Sequence, residues 1–416
     1  MERPIPSRPP LLSIIIPVFN QWSLTEQCLK SLRENTPGSY FDVIVVDNGS
    51  DDATRQECRH LGEQLFPHRF TYLRKPENLG FGQACNQGAR YASGELLFFL
   101  NNDTLLTENW ASPLLRALRN DSRLGAVGPL LLYPGSERVQ HLGIIFWPGA
   151  TEHVYELFPR NHVVVTKRRH VQAITAAALL VPRQLFWACD GFHPGYRNGF
   201  EDLELCVRIR EQGKRLACIP TSVVYHLASQ SAGRFSHDQD NADLLHARCP
   251  GKLFPDALRV VKRDGFTARL TSWLVPYVAL QEDRVHVLRT MFQQNPRVDH
   301  VMHMLEQEPL WTDGYAFLAR QLERERKWGE AAEMRILQNH FAPSLEGYQE
   351  LLTCARKAED RKLIQETATA LESIAQRVRQ AHELRSRAES AIRQCKEQDS
   401  ELAALYEHWL KSQPSL

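Results

Sequence analysis

The chain has almost no net charge: 50 Lys and Arg residues stand against 49 Asp and Glu. No basic field advertises nucleic acid, and no acidic bias suggests a solvating tail. Nine cysteines lie scattered, with no C-x-x-C pair and no His/Cys cluster at zinc spacing. An odd number of buried-type thiols points to a reducing cytoplasm rather than secretion, with peripheral contact at the inner membrane face as the alternative. Long apolar runs are missing too. The most membrane-like stretch, "LTSWLVPYVAL" (270–280), is about half of the ~20 residues a span requires, so a buried helix or connector is expected there and no transmembrane segment. The opening "MERPIPSRPP" has no apolar centre behind its arginines, so it reads as a flexible tail over residues 1–10, not a signal peptide.

Phosphate-gripping glycine signatures are absent as well. "NLGFGQACNQG" (78–88) has Gly80 and Gly82 ahead of a helix, permitting close backbone approach to an anion. It is not the spaced glycine fingerprint of dinucleotide folds, and no Lys-Ser/Thr follows as in a P-loop. Dehydrogenase and nucleoside triphosphatase readings lose ground accordingly.

What remains is an ordinary globular composition, 43% hydrophobic and 24% charged, over 416 residues. Two domains are expected from that length. Up to about residue 235, continuous β-branched runs such as "LLSIIIPVF" (11–19) and "FDVIVVD" (41–47) alternate with helical spacing. Such runs suit strands buried on both faces. The helix between them opens on Ser23-Leu24-Thr25-Glu26, with Ser and Glu at capping-box positions. "FTYLRK", a helix from Gly82 to Ala92, and "GELLFFLN" follow. The order β-α-β-α-β-α-β implies an α/β domain with a mainly parallel sheet, which binds ligands at the carboxyl ends of its strands.

From about residue 266 strands are no longer expected. "GYAFLARQLERERKWGEAAE" (314–333) and "GYQELLTCARKAEDRKLIQE" (347–366) align at an offset of 33, near the period of tetratricopeptide-like helical hairpins. Residues 348–413 contain neither Gly nor Pro, and Leu371, Ile374, Val378, Ala381, Leu384 and Ala388 form an apolar stripe on one long helix. The expected organisation is a tail, an α/β domain over 11–265, and an all-α domain over 266–416 that contacts a protein partner or a second copy.

Polar residues cluster where the strands end. "PVFN" (17–20) alone would be an ordinary loop. In "VVDNGSDD" (45–52), Ser50 or Asp51 can cap the next helix, while Asp47 sits where it could accept hydrogen bonds from a ligand. "FFLNNDTLL" (98–106) delivers Asn101, Asn102 and Asp103 together at a strand tip. A hard divalent cation, Mg2+ or Mn2+, takes few carboxylates when substrate phosphates supply the rest, which one carboxylate at Asp103 would suit. In "GFEDLELCVR" (199–208), Glu201 and Asp202 point about 100° apart on a helix. Glu204 and Arg208 pair on its surface, and an acidic helix start also favours the dipole. His226 closes "SVVYH"; a lone His after a strand is usually structural. Lys167, Arg168 and Arg169 read as a solvated loop rather than a diphosphate contact.

Taken in order, "LLSIIIPVFN", "VIVVDNGSDDAT", "NLGFGQACNQG", "LLFFLNNDT", "GFEDLELCVRIREQG" and "VVYHLASQS" resemble glycosyltransferase family 2, the inverting nucleotide-sugar transferases of the GT-A fold. Within it the chain looks most like rhamnosyltransferase-like bacterial members, which assemble surface or secreted glycans. The resemblance covers residues 11 to about 235. It implies that Pro17, Phe19, Asn20, Asp47 and Asn48 line the nucleotide pocket, with Asp47 near the base. Asn78, Gly80, Phe81 and Asn86 would pack around it. Asn101-Asn102-Asp103 takes the place of the Asp-x-Asp element. There Asn101 replaces the first Asp, and its amide can still bond ribose hydroxyls. Asp103 and His226 are the implied metal ligands, Asp202 the implied catalytic base and Glu201 an acceptor contact. Thr175 and the small residues after it would floor the acceptor site.

The function so implied is inverting transfer of a sugar from a nucleotide-diphospho-sugar to a hydroxyl of a glycan, lipid-linked glycan or protein. A sugar nucleotidyltransferase is the rival enzyme, but the Gly- and Arg/Lys-rich loop it needs is replaced by "PVFN". A catalytically silent scaffold acting through the helical repeats is the rival from another class.

Overall fold

The apolar runs do become strands buried on both faces, in a computed structural model that describes residues 10–38, 40–227 and 236–412. Residues 1–9 of the expected tail over 1–10, and the end of "VVYHLASQS", from residue 228, lie outside the described residues. The chain forms two compact units, Met1–Ile145 with Glu152–Leu253, and Phe146–Thr151 with Phe254–Leu416.

The first unit opens with β1 (Leu12–Val18), α1 (Trp22–Asn35), β2 (Phe41–Asp47), α2 (Thr54–Leu65), β3 (Phe70–Arg74), α3 (Phe81–Tyr91) and β4 (Leu96–Leu100). Then come β5 (Thr104–Leu106), α4 (Ala111–Asn120), β6 (Leu124–Leu132), β7 (Val139–His141), β8 (Ile144–Trp147) and β9 (Ala150–His153), of which Phe146–Thr151 counts with the second unit, then β10 (Arg169–Val171) and β11 (Ala178–Pro182). It closes with α5 (Arg183–Ala188), α6 (Glu201–Glu211), β12 (Arg215–His226) and α7 (Asp238–Arg248). Strands β3-β2-β1-β4 lie side by side and parallel, as the alternation of strand and helix predicts. Beyond β4 the order is β11, β6, β12, β10. Because β11 is antiparallel to both β4 and β6, and β12 is parallel to β6, the carboxyl ends of β1, β2, β4, β6 and β12 share one edge. The start of β11 meets them there, since Ala178 pairs with Leu100.

Every residue of β1 is buried. Ile14, Ile16 and Val18 pack with Val43, Val45, Leu29 and Leu32 in one core. Each such side chain contributes roughly 1.5–3 kcal/mol by leaving water. Ile15 faces the other way, and an added Cβ at Gly88 of α3 would meet its Cγ2 at 2.5 Å, so only glycine lets that helix lie so close.

Helix starts depart from expectation. No capping box forms at Ser23. Gln21 takes a left-handed conformation (φ 59°), α1 begins at Trp22, and the Trp22 N–H donates to Asp52 Oδ2 at 2.9 Å. Asp52 Oδ1 accepts the Thr54 N–H at 3.0 Å, so this one carboxylate, rather than Ser50 or Asp51, serves both α1 and α2. Ser50 Oγ instead accepts the Asn20 N–H at 2.8 Å. Two other expectations are corrected. Glu204 pairs with Arg208 as expected, but it is 1% exposed and also holds Arg248 at 2.8 Å, so this is a buried cluster rather than a surface pair. Arg169 is no solvated loop residue: it is buried in β10, its guanidinium 4.8 Å over the Tyr155 ring.

The second unit contains α8 (Ala257–Arg263), β13 (Thr267–Leu270), β14 (Pro276–Ala279), α9 (Glu282–Gln294), α10 (Val298–Gln307), α11 (Thr312–Arg324), α12 (Trp328–Phe341), α13 (Leu345–Lys357), α14 (Arg361–Arg379), α15 (Ala381–Cys395) and α16 (Ser400–Ser412). Strands therefore do not vanish at 266. β13 and β14 form an antiparallel hairpin, and "LTSWLVPYVAL" is its turn and second strand, not a helix. Leu274 turns the chain with φ 62°, and the Thr271 side chain takes the Val275 N–H at 2.9 Å.

The 33-residue period is real in the structure. Thr312 and Leu345 begin α11 and α13, and Trp328 and Arg361 begin α12 and α14, each pair 33 apart. Gly314 and Gly347 occupy matching sites. An added Cβ would lie 2.8 Å from the Trp311 ring at the first and 2.3 Å from Asn339 Oδ1 at the second. The single long helix is corrected: it breaks at Gln380 (φ −88°, ψ 51°), and Val378 is exposed rather than part of a buried stripe. No helix among the described residues is long and apolar enough to cross a membrane.

Candidate active site

The polar tips predicted from sequence gather on the carboxyl edge of the first unit's sheet. At the centre, β4 ends at Leu100 and the backbone N–H of Asn101 donates to the Ala177 carbonyl at 2.9 Å. Asn102 turns away to α1, its Nδ2 2.9 Å from Thr25 Oγ1. Thr104 starts β5 and pairs with His226, the last residue of β12. That pairing brings Asp103 and His226 together although they lie far apart along the chain: Asp103 Oδ1 is 3.2 Å from His226 Nε2. Asn101 Nδ2 lies 3.3 Å from the same nitrogen.

Asp103 is 8% exposed, and its Oδ1 is buried without a hydrogen-bond partner. A buried carboxylate oxygen left without a donor costs free energy unless a cation or proton completes it. No group of three or more His, Cys, Asp or Glu side chains surrounds a common point among the described residues. A carboxylate and an imidazole nitrogen nevertheless suit a divalent cation whose other positions go to diphosphate oxygens and water. Beneath them, Cys28 Sγ touches Thr104 Oγ1 at 3.6 Å, and burial pushes its thiol up to about 12, so it is not a thiolate ligand.

Asp202 stands at the start of α6, behind Phe200 in the left-handed region (φ 71°). Its Oδ2 accepts the Ala176 N–H at 3.1 Å and its Oδ1 the Leu203 N–H at 2.9 Å. The segment 175–177 thus touches Asp202 through Ala176 and Asn101 through Ala177. Thr175 Oγ1 accepts the Ala177 N–H at 3.3 Å, and the Thr175 N–H donates to His141 Nε2 at 3.3 Å. Burial and the neighbouring His153 and His226 hold His141 well below the usual imidazole range. Glu201 differs from its neighbour. It is 5% exposed, accepts the Gly199 N–H at 2.6 Å, and sits 3.7 Å from where a Cβ on Gly82 would stand. Buried against α3, it supports the loop before α6.

Around the expected nucleotide pocket, Asp47 is fully buried. Its oxygens accept the Ser50 N–H (2.8 Å), the Tyr72 hydroxyl (2.5 Å) and Arg74 Nη1 (3.0 Å). These bonds make Asp47 a lock on the turn after β2; Tyr72 and Arg74 stand beside it on β3, where Arg74 is in register with Asp47. Asn48 Nδ2 donates to Asn78 Oδ1 (2.7 Å) and to the Gly80 carbonyl (3.2 Å), while its Oδ1 takes the Leu79 N–H (3.0 Å). Gly49, at φ 93°, passes so near that an added Cβ would be 2.9 Å from the Glu77 carbonyl carbon. Asn86 is likewise spent on structure: it donates to the Phe192 carbonyl (2.7 Å) and accepts the Phe192 N–H (2.9 Å). The Phe81 N–H meets Asn198 Oδ1 at 3.1 Å. Pro17 is buried at the end of β1, past the last β4 pairing, so its missing N–H costs that ladder nothing. Asn20 Oδ1 accepts the Asp51 N–H at 2.9 Å, and Phe19 beside it is 47% exposed at the mouth of this turn.

Gln140 and His141 were not singled out from sequence. The available signal was two polar residues inside the apolar stretch "VQHLGIIF", both now buried.

The sequence and fold were also compared with known proteins. Residues 13–186 match the family model described as Glycosyl transferase family 2. The O-antigen biosynthesis protein RfbC of Myxococcus xanthus is 30% identical over 230 residues, 53% of this chain and 18% of that protein. Validoxylamine A glucosyltransferase of Streptomyces hygroscopicus subsp. limoneus is 30% identical over 236 residues, 50% of this chain and 49% of that one. Among solved structures, GalNAc-T7 with UDP, GalNAc and Mn2+ is 19% identical, with a TM-score of 0.48 covering 62% of this chain and 52% of that one. The chain spans about half or less of the length of these curated relatives.

Proposed function

We propose that the chain, whose residues 13–186 match the model of glycosyl transferase family 2, moves a sugar from a nucleotide-diphospho-sugar to an acceptor hydroxyl by a single inverting displacement. The observation that carries the reading is the pairing at the sheet edge: Asp103 Oδ1, buried and without a donor, lies 3.2 Å from His226 Nε2.

These two side chains would hold a divalent cation. When bound, such an ion supplies charge stabilisation to the departing diphosphate. Asn101, whose Nδ2 already reaches His226, adds an amide donor beside that charge. Asp202 is the general base. Backbone N–H groups of Ala176 and Leu203 each hold one of its oxygens, leaving further lone pairs to take the proton from an acceptor hydroxyl. Attack from the face opposite the leaving group inverts the anomeric carbon and needs no covalent sugar–enzyme species. Phe19 offers an exposed ring for base stacking, and the turn locked by Asp47 gives the nucleotide a fixed floor. The helices of the second unit engage the acceptor or its carrier.

A screen of nucleotide-sugars with Mg2+ or Mn2+, read by donor consumption and by the anomeric configuration of the product, tests the proposal. Inverted product with cation dependence is expected. Retained configuration, or consumption of nucleoside triphosphates instead, would overturn it.

A further inference from the structure

We propose that Gln140 is a positioning residue for His226, clamping its imidazole so that the Nε2 lone pair faces Asp103; the proposal rests on the cation reading above. β7 is only three residues long and irregular. His141 pairs with Leu131 and Val139 with Leu132, so Gln140 is the extra residue of a bulge. Bulges re-aim side chains next to functional sites. The Gln140 side chain, 5% exposed, is aimed at the end of β12.

The clamp has two points. Gln140 Nε2 donates to the His226 carbonyl oxygen at 2.7 Å, and Gln140 Oε1 lies 2.6 Å from His226 Nδ1. A backbone carbonyl can only accept, so the NH2 of the amide must face it, and the amide oxygen is left for Nδ1. An oxygen acceptor at 2.6 Å demands a proton on Nδ1. In the neutral imidazole the opposite nitrogen then presents its lone pair, an acceptor for the Asn101 Nδ2–H at 3.3 Å, consistent with Asp103 Oδ1 having no hydrogen-bond partner although Nε2 is 3.2 Å away. Gln140 is itself pinned, since its own carbonyl accepts His153 Nδ1–H at 2.8 Å.

Without the clamp the imidazole can rotate or adopt the other tautomer, which turns an N–H toward Asp103 and repels a cation. Partners that fix the far nitrogen of a metal-binding His typically change metal affinity about 10–100-fold. The side chain touches no substrate in this account and acts only through His226.

Two measurements on the full chain test this. 15N-histidine NMR of the wild-type protein, with the His226 signals identified by their loss in His226→Ala, should show a protonated Nδ1 and a bare Nε2. An Nε2–H tautomer would overturn the proposal without any Gln140 variant having to fold. Mn2+ titration, read by the EPR signal of the free ion with and without inorganic pyrophosphate, should show about 10–100-fold weaker binding in Gln140→Leu. Unchanged affinity in Gln140→Leu, beside lost affinity in His226→Ala, overturns the clamp and leaves the cation reading standing. Binding indifferent to both Asp103→Ala and His226→Ala overturns the cation reading instead, while the tautomer measurement still judges the clamp.

Discussion

The two ends of one sheet make opposite use of the same strands. At the amino end of β4, Leu11, Leu96, Leu115, Leu118, Pro182 and Leu185 help line a cavity of about 450 Å3. At the carboxyl end, side chains and backbone amides hydrogen-bond one another, and the buried Asp103 Oδ1 is left without a hydrogen-bond partner. By size the amino-end cavity is a candidate site. By chemistry it is not: its polar groups sit at the rim, and no carboxylate or imidazole there faces another. A pocket marks room, whereas an unmet buried acceptor marks a missing partner, and the second is the better guide to reactivity here.

That contrast can be broken. Asp202→Asn should lower the rate of transfer by about 10^2–10^4-fold with donor binding retained, checked by steady-state kinetics beside calorimetry of the donor. Asp103→Ala should cost about 10^3-fold in rate, as loss of a Lewis-acid contact worth several kcal/mol implies, together with weaker Mn2+ binding by EPR. Wild-type turnover in either variant would move the chemistry away from the carboxyl edge. A smaller effect is expected from Gly49→Ala. It places a Cβ against the Glu77 backbone at positive φ, so about 1–3 kcal/mol of stability should be lost in denaturant melts. Smaller still, Arg119→Gln and Lys214→Gln at the rim of the amino-end cavity should leave transfer within about twofold, since surface substitutions away from special features change stability by only ~0.5 kcal/mol. A large loss there would mean that the cavity takes part after all. The thiols offer an independent check of packing. All nine cysteines are buried, and burial pushes Cys28, Cys58 and Cys206 up to about 12, so the native chain should resist a thiol reagent that titrates all nine after denaturation.

Much of the sheet edge was legible because parallel, doubly buried strands leave an unmistakable trace: apolar runs that stop at polar residues. Asp103 and His226 stood at such stops, and pairing of β5 with β12 joined them. What escaped depended on neighbours distant in sequence. Asp47 looked free to meet a ligand because nothing in "VIVVDNGS" announces Tyr72 and Arg74 on the adjacent strand. Gln140 escaped because a bulge is a property of two strands in register, and "RVQHLG" names only one of them. Ser23 lost its capping role to Asp52, about 30 positions away. In the helical unit the period of 33 was visible in the Gly-Tyr pairs, but the break at Gln380 carries no glycine or proline to betray it. The hairpin at 267–279 was obscured by an apolar run as compatible with a helix as with a strand.

Because α11 and α13 begin 33 residues apart and place Gly314 and Gly347 alike, that stretch of the second unit is assembled by iteration. Its inner seam requires a side-chain-free contact once per cycle, so duplication or excision of one whole cycle preserves the meshing, while gain or loss of a few residues jams it. A surface made this way changes length in whole steps, without rebuilding the packing beneath.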